Sequence, residues 1–214
     1  MDYYSSIKLS AAEIQNQEYK KHLGGGAEHW ARRGAFQLFF LQKMGLKKND
    51  RLLDAGCGPG RSGVHFINYL DCGNYCGIDS NADFVRVAAE TVAQNPPLRD
   101  KSPHLECVEN FDFTRLHGTF AYVLAFSVLN HCPPPLRQVF FENISRVTKS
   151  ESRIYITHAP WFQAGLLGQT QLRLKRSIGS PREVAADLDM QTWGWPPNES
   201  IFPILELVPV GKPA

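Results

Sequence analysis

A short glycine-rich stretch, LLDAGCGPGRSG at residues 52–63, is the part of the sequence best suited to bind a ligand. It follows an apolar run, precedes a helical pattern and places glycines at alternate positions, Gly56, Gly58 and Gly60, with a fourth at Gly63. A backbone without side chains at a helix N-terminus lets a ligand approach the main chain and meet its unpaired N–H groups. The stretch therefore predicts a ligand site where a strand turns into a helix.

The spacing of these glycines leaves two kinds of ligand open. GPGRSG at residues 58–63 satisfies the dinucleotide pattern GxGxxG, and Asp79 lies about where the ribose-binding acid of that pattern would lie. A dinucleotide pattern usually begins directly on the apolar strand, whereas here Asp54 comes first. A carboxylate at that place would repel a pyrophosphate and attract an ammonium group. This order favours a ligand with a cationic end, and the alternative is an NAD-dependent oxidoreductase.

The same stretch resembles the first motif of class I S-adenosylmethionine-dependent methyltransferases, which is an acid followed by three glycines at alternate positions. The match lies at Asp54, Gly56, Gly58 and Gly60, and the resemblance extends over about residues 24–160. A narrower likeness, to bacterial small-molecule and sugar methyltransferases, rests on GGGAEHWARRGAFQLFFL, RSGVHFINYL and GNYCGID. The resemblance implies S-adenosylmethionine as methyl donor, S-adenosylhomocysteine as product, and chemistry that needs no metal.

The resemblance also implies which residues hold the cofactor. Asp54 would meet the ammonium group at its methionine end, and Asp79 would hold the ribose hydroxyls through its two oxygens. Asn110 or Asp112 would contact the edge of the adenine, while Phe111 packs on its ring. In all, the residues expected to bind the cofactor are Asp54, Ala55, Gly56, Cys57, Gly58, Gly60, Asp79, Ser80, Asn110, Phe111, Asp112, Phe126, Ser127 and Trp30.

Histidines near strand ends are the candidates for acid–base chemistry. Methyl transfer to a hydroxyl or amine needs a positioned acceptor, exclusion of water and a nearby base. His131, after the fourth predicted strand, is the first candidate, because an unperturbed imidazole has a pKa of ~6.5. His158, after the fifth, is the second. Either histidine could instead be a structural residue of its turn, and four aromatic residues could line an acceptor pocket or belong to the core: Trp161, Phe162, Trp193 and Trp195.

Apolar runs alternate with amphipathic helical patterns along the chain, which indicates a parallel sheet covered by helices on both faces. Strands are predicted at residues 51–55, 75–79, 105–108, 120–128 and 153–158. The segments DMQTWGW and FPILELVPV near the C-terminus are predicted to add two closing strands. The fold class is therefore α/β, a doubly wound, mostly parallel, seven-stranded Rossmann-like sheet with an N-terminal helical extension.

The N-terminal region has its own pattern. Residues 1–46 are predicted to form two helices broken at glycines 24–26, and residues 47–214 the methyltransferase domain as one globular unit. Three consecutive glycines permit a hinge. We therefore expect either a plain helix break or a lid over the cofactor, with Tyr19 or Trp30 covering the adenosine or the sulfonium.

The composition limits the class of partner. The chain of 214 residues carries 23 Lys and Arg against 21 Asp and Glu, so it has no electrostatic footprint for nucleic acid. The basic cluster RLKR at residues 173–176 is predicted to be a solvated helix face. Five cysteines, an odd number, favour free thiols in a reducing compartment, and neither a signal peptide nor a membrane-spanning run is found. We expect a cytoplasmic monomer or homodimer with no nucleic-acid or membrane partner.

The predicted function is S-adenosylmethionine-dependent methyl transfer to a small-molecule acceptor, at an oxygen or a nitrogen. Two alternatives stay open. One is an RNA, DNA or protein methyltransferase, although SVLNHCPPP after the fourth strand does not place an asparagine directly before Pro-Pro, as amino-methylating DNA enzymes usually do. The other is an inactive cofactor-binding partner subunit, which a closed or absent acceptor pocket would indicate.

Overall fold

The computed structural model describes residues 6–23, 27–157, 167, 170–179, 183 and 203–210. The strands are β1 (Leu52–Ala55), β2 (Tyr75–Asp79), β3 (His104–Cys107), β4 (Phe120–Ala125), β5 (Thr148–Thr157), β6 (Leu172–Gly179) and β7 (Ile204–Pro209). The helices are α1 (Ala11–Gln15), α2 (Tyr19–His22), α3 (Ala27–Lys43), α4 (Gly63–Tyr69), α5 (Ala82–Ala93), α6 (Pro96–Arg99) and α7 (Pro134–Asn143). Short 3₁₀ turns lie at Glu109–Phe111, Phe113–Arg115 and Ile144–Val147.

All seven strands form one sheet in the order β3-β2-β1-β4-β5-β7-β6. Strands β1 to β5 are parallel, and β7 runs antiparallel to both β5 and β6. The prediction of a seven-stranded, mostly parallel α/β sheet is confirmed. Because the parallel strands share one direction, their carboxyl ends and the loops that follow them meet at one edge of the sheet.

Apolar side chains on both faces of the sheet explain why the strands are nearly continuous apolar runs. Leu53 and Val123 point into one core, which α7 covers with Phe140 and Phe141. Leu52 and Leu124, one residue along each strand, belong to a second core, which α3 and α4 cover with Phe36, Phe40 and Phe66. Successive side chains of a strand point to opposite faces, so these cores lie on the two sides of the sheet.

Helix α3 belongs to the same core as the strands. Phe36, Phe40 and Leu41 are completely buried, and the Phe40 ring packs edge-on against Tyr155 of β5 at 5.2 Å. The predicted division of the chain after residue 46 stays a prediction, but α3 packs as part of the sheet's own core.

The segment before α3 differs from its prediction. Instead of one helix it forms the short helices α1 and α2, because Gln17 between them has a left-handed backbone with φ of 56°. Ile7, Leu9 and Tyr19 then pack with Phe84 of α5 in a small third cluster. Glycines 24–26 lie outside the described residues, so the predicted break there stays a prediction.

Strand β6 corrects the prediction of a helix at RLKR. The cluster lies in β6, and Arg176 and Lys175 reach the completely buried Glu206 of β7 at 2.7 and 3.1 Å, as Arg153 of β5 does at 2.7 Å. Burial alone would raise the pKa of Glu206, but the hydrogen bonds from the three cations lower it to about 2. A pairing with a neighbouring strand, which no local pattern reveals, decides the conformation.

Two other strand predictions have different outcomes. FPILELVPV is confirmed as a closing strand, β7, whereas DMQTWGW lies outside the described residues. The fourth strand ends at Ala125, before the predicted residue 128, because Ser127 has a φ of 58°.

Two further observations concern the whole described chain. All five cysteines lie among the described residues and none forms a disulfide bond; Cys57, Cys76 and Cys132 are buried. Among the described residues, no helix combines the length and apolar character needed to cross a membrane.

Candidate functional site

A cleft of about 1030 Å³, its open mouth included, lies at the edge of the sheet where β1, β2 and β4 end. The predicted site residues on its lining are Gly56, Cys57, Gly58, Asp79, Ser80, Asn110, Phe111, Phe126, Ser127 and His131. The loops after four parallel strands therefore converge on one space, as ligand sites in open α/β sheets do.

The glycine turn after β1 forms the floor of the cleft. Gly56 and Gly58 have φ of 91° and 55°, in the range that favours glycine. A β-carbon on Gly56 would lie 2.2 Å from Cγ2 of Val128, so the turn packs directly against the loop after β4. A β-carbon on Gly58 would meet no atom within 4 Å, so Gly58 faces open space.

Asp79, at the end of β2, links the glycine turn to the residue that caps α5. Its Oδ2 accepts from the Gly58 N–H at 2.9 Å, and its Oδ1 accepts from the Asn81 N–H at 2.8 Å. Asn81 caps α5 by accepting from the N–H groups of Asp83 and Phe84. A carboxylate offers about four acceptor positions, so Asp79 can still accept from ligand hydroxyls.

Asp54 lies behind the turn, only 2% exposed, and is absent from the described lining. Its Oδ2 accepts from the hydroxyls of Ser62 at 3.0 Å and Tyr75 at 2.9 Å. Burial raises its pKa to about 6, against the opposing effect of these two hydrogen bonds. The structure thus places Asp54 outside the described lining, and its contact with an ammonium group stays a prediction.

Two other turn residues also lie away from the cleft. Ala55 is fully buried in the sheet core, and Gly60, with a φ of 86°, faces Ala88 of α5. The residues of the motif thus divide between a layer that lines the cleft and a layer that supports it.

The predicted contact of Trp30 with the cofactor also stays a prediction. Trp30 is absent from the described lining, and its ring packs edge-on against Tyr19 at 5.8 Å. Lys20 and Arg61 lie over the ring at 5.5 and 5.6 Å, so cations of the chain itself occupy the surface predicted for the ligand. The N-terminal segment reaches the cleft through Leu23 instead, whose carbonyl accepts from Arg61 at 3.2 Å.

The loop after β3 contributes two of its three predicted residues. Asn110 and Phe111 line the cleft with left-handed φ of 53° and 50°, and strained backbone of this kind clusters at functional sites. The Phe111 ring is held edge-on against Phe140 at 5.1 Å. Asp112 is exposed and absent from the described lining, because its carboxylate accepts from the N–H and hydroxyl of Thr114, which lowers its pKa.

The loop after β4 carries the one described candidate base. Ser127 donates its N–H to the Thr157 hydroxyl at 2.9 Å, and Asn130 donates to the same oxygen at 3.5 Å. These bonds tie the loop to the end of β5 and bring His131 to the lining, where it is exposed. Outside the described residues lie His158, Trp161, Phe162, Trp193 and Trp195. The part of the chain that is described contains no group of three or more metal-ligating side chains placed to hold an ion.

Sequence reasoning missed three polar residues of the cleft, Gln37, Arg61 and Ser62. Gln37 is a polar residue inside the apolar run AFQLFFL at residues 35–41 of α3, and this interruption is the signal that could have identified it. Arg61 lies inside the glycine motif, but its direction depends on Leu23 and Trp30, far away in sequence.

Comparison with known proteins identifies relatives in one class. Residues 52–151 match the protein family described as "Methyltransferase domain". An uncharacterized methyltransferase of Schizosaccharomyces pombe is 30% identical over 109 residues, 49% of this chain and 38% of that protein. A probable methyltransferase of Aspergillus luteorubrus is 33% identical over 96 residues, 42% of this chain and 33% of that protein. The matched segments thus cover less than half of each of these relatives.

Solved structures share the fold over most of the chain. The magnesium protoporphyrin IX methyltransferase of Synechocystis, solved with bound S-adenosylhomocysteine, is 16% identical with a TM-score of 0.61, over 91% of this chain and 94% of that one. A TehB-like S-adenosylmethionine-dependent methyltransferase of Corynebacterium glutamicum is 17% identical with a TM-score of 0.60, over 94% and 99%. At these identities the likeness establishes the fold.

Proposed function

We propose that this chain transfers a methyl group from S-adenosylmethionine to a small-molecule acceptor, at an oxygen or a nitrogen. Its residues 52–151 match the methyltransferase domain family, and its fold is that of solved S-adenosylmethionine-dependent methyltransferases. One observation carries the proposal. The bare glycine turn, the carboxylate of Asp79 and the loop at Asn110 and Phe111 line one cleft at the edge of a parallel sheet.

The residues of the cleft fit this donor better than a dinucleotide. In a dinucleotide site the N–H groups of the glycine turn face a pyrophosphate. Here the Gly58 N–H already donates to Asp79, so a carboxylate lies at the turn and would repel a phosphate. Arg61 and Ser62, both on the lining, offer donors for the carboxylate of an amino acid.

When bound, S-adenosylmethionine supplies a methyl group on a positively charged sulfur, ready for displacement by a nucleophile. Asp79 would accept from the ribose hydroxyls while keeping its bonds to the backbone. Asn110 and Phe111 would hold the adenine by its edge and its face. Asp54 supports the site from beneath the glycine turn, because the hydrogen bond that it accepts from the Ser62 hydroxyl holds the start of α4. Phe126 and Val128 form apolar walls that exclude water from the reacting groups.

Binding of the product tests the proposal directly. We expect calorimetric titration of the purified protein to show saturable binding of S-adenosylhomocysteine and none of NADH at the same concentrations. The reverse pattern would contradict the proposal in favour of an oxidoreductase. Binding of S-adenosylhomocysteine without methyl transfer to any acceptor would instead support an inactive, cofactor-binding partner subunit.

His131 is proposed as the base that takes the proton of the acceptor. Its exposed imidazole lies on the cleft lining beyond Phe126 and Ser127. Replacement of His131 by glutamine is expected to lower kcat about 100-fold with little change in the affinity for S-adenosylhomocysteine, because general-base catalysis contributes at least that factor. Steady-state rates with tritium-labelled methyl donor measure the effect.

The control for this variant is His117→Gln, at an exposed position that is absent from the described lining. An unchanged kcat in His131→Gln would assign His131 to the structure of its turn.

A further inference from the structure

A buried hydrogen-bond network lies beneath the glycine turn. The Asp54 Oδ2 accepts from the Tyr75 hydroxyl at 2.9 Å and from the Ser62 hydroxyl at 3.0 Å. Asp54 and Tyr75 are each 2% exposed and Ser62 is 4% exposed, and of the three only Ser62 belongs to the described lining of the cleft. The network thus connects the interior of the sheet to the surface that a ligand would meet.

The surroundings of Tyr75 fix the position of its hydroxyl. The ring stacks on Phe66 of α4 at 6.2 Å. A β-carbon on Gly63, the first residue of α4, would lie 2.7 Å from the hydroxyl oxygen, and a β-carbon on Gly77 of β2 would lie 2.9 Å from it. The hydroxyl therefore occupies space that two glycines leave, and it donates to Asp54 of β1. A phenylalanine would fill the same apolar space without this donor, so the hydroxyl itself needs an explanation.

The direction of the two hydrogen bonds favours the charged form of Asp54. An ionised carboxylate can only accept, so the hydroxyls of Tyr75 and Ser62 both donate to it. Hydrogen bonds to the charged form lower the pKa of a carboxyl group, whereas burial raises it, and the balance for Asp54 is a pKa of about 6. Asp54 is therefore charged at neutral pH and neutral in mildly acidic solution. Without one of its two donors it would lose its charge at a higher pH.

Other charged and titratable groups surround Asp54 on the turn and on β2. Asp79 raises the pKa of Asp54 by repulsion, and Arg61 lowers it by attraction. Burial raises the pKa of three further groups, which stay protonated at neutral pH: Tyr75, Cys57 and Cys76. On the cleft lining, the imidazole of His131 can also change its charge near neutral pH. A test of Asp54 must therefore separate its titration from those of Asp79 and His131.

The ligand of the proposed function has a cationic end. S-adenosylmethionine carries an ammonium group and a positively charged sulfur, and S-adenosylhomocysteine keeps the ammonium group. A negative charge that is shielded from water beneath the glycine turn attracts these groups more strongly than a fully hydrated charge would. Protonation of Asp54 removes this attraction.

We propose that Tyr75 is a positioning residue for the cofactor site: its hydroxyl, together with that of Ser62, keeps the Asp54 carboxylate charged beneath the glycine turn, and the cofactor binds tightly only while that charge is present. The inference rests on the proposed function. It adds a residue of β2 that lies outside the described lining, and a loss of cofactor affinity in mildly acidic solution.

The pH dependence of product binding tests the charge. We expect calorimetric titration of the full chain with S-adenosylhomocysteine to give a Kd that rises about ten-fold between about pH 8 and about pH 5, because about one Asp54 in ten keeps its charge one pH unit below its pKa. The midpoint is the pH at which the Kd is twice its value at about pH 8.

The variant Tyr75→Phe tests the hydroxyl and keeps the ring. We expect the midpoint to move upward by about one pH unit, because the charged form of Asp54 loses one of its two donors. The Kd at about pH 8 should stay within about two-fold of the original, since Asp54 is still mostly charged there. A purely structural role for Tyr75 predicts weaker binding at every pH with an unshifted midpoint, and that result would overturn the inference.

The matched control is Tyr69→Phe. Tyr69 lies on α4 and donates its hydroxyl to the Leu46 carbonyl at 3.0 Å, so this variant also removes one tyrosine hydrogen bond but leaves Asp54 untouched. Its Kd and its midpoint should equal those of the original. Because Asp79 and His131 are present in both variants, the difference between the two pH profiles reports on Asp54.

Two further variants keep the inference testable if Tyr75→Phe does not fold. Ser62→Ala removes the other donor and should also move the midpoint upward by about one pH unit. Asp54→Asn should bind S-adenosylhomocysteine at least about ten-fold more weakly than the original at about pH 8. An unshifted midpoint in Ser62→Ala, or undiminished binding by Asp54→Asn, would overturn the inference. Absence of S-adenosylhomocysteine binding by the original protein at every pH would contradict the proposed function instead, so the two failures are distinguishable.

Discussion

Replacement of Asp79 by asparagine is expected to weaken the binding of S-adenosylhomocysteine at least 100-fold. The two carboxylate oxygens already accept from the Gly58 and Asn81 N–H groups and, in the proposed function, also accept from the ribose hydroxyls. Asparagine has a single acceptor oxygen, and its NH₂ group would face one of the two backbone donors. Hydrogen bonds to a charged group contribute about 1.5–3 kcal/mol each, so loss of two hydroxyl bonds amounts to about 3 kcal/mol or more, about 100-fold in affinity.

Calorimetric titration measures this effect, and thermal unfolding of the free variant verifies that it remains folded. The matched control is Asp100→Asn, an exposed carboxylate that is absent from the described lining, which should keep its affinity within two-fold. An Asp79→Asn protein that is folded and binds as tightly as the original would refute the role given to Asp79.

Replacement of Gly56 by alanine is expected to lower the free energy of unfolding by roughly 2–5 kcal/mol and to remove binding of S-adenosylhomocysteine. Alanine is strained at a φ of 91°, and its β-carbon would lie 2.2 Å from Val128 Cγ2. Backbone strain of this kind costs roughly 1–2 kcal/mol and overpacking roughly 1–3 kcal/mol. The loop after β4 must move to relieve the clash, which displaces Ser127 and His131 from the cleft. Urea unfolding and calorimetric titration measure the two effects.

Gly58→Ala is the matched control because it shares the positive φ without the clash. With φ at 55° and no atom within 4 Å, it should cost only about 1 kcal/mol of stability. Adding Val128→Ala to Gly56→Ala should restore the part of the unfolding free energy that is lost to the clash. Equal stability of the Gly56→Ala and Gly58→Ala variants would contradict the close packing of the turn against Val128.

The sheet and the outline of the site could be predicted because their signals are local. Alternation of apolar runs with helical patterns identified β1 to β5, although β5 begins at Thr148 rather than at residue 153. An acid before spaced glycines identified the ligand turn. Strand β6 was missed because Arg173, Lys175 and Arg176 form a strand through pairing with β7 and Glu206, a contact that no window around residue 173 contains.

Within the site, the types of the residues were easier to predict than their burial and the direction of their side chains. Asp54 and Asp79 both end strands and both carry a carboxylate. Asp79 lines the cleft, whereas Asp54 turns behind it to Tyr75 and Ser62. Trp30 was expected at the ligand but packs among Tyr19, Lys20 and Arg61. In each case the direction of a side chain depends on a partner that is distant in sequence.

The sequence by itself determined the α/β class, the order of most elements and the glycine turn, because hydrophobic periodicity and backbone freedom are properties of neighbouring residues. Only the tertiary structure decided which acid lines the cleft, that the turn packs on Val128, and that Gln37 and Arg61 belong to the lining. Burial and hydrogen-bond partners arise when α3, β1, β2 and β4 come together. The burial and the contacts of a polar residue on a helix therefore depend on the elements that pack around it.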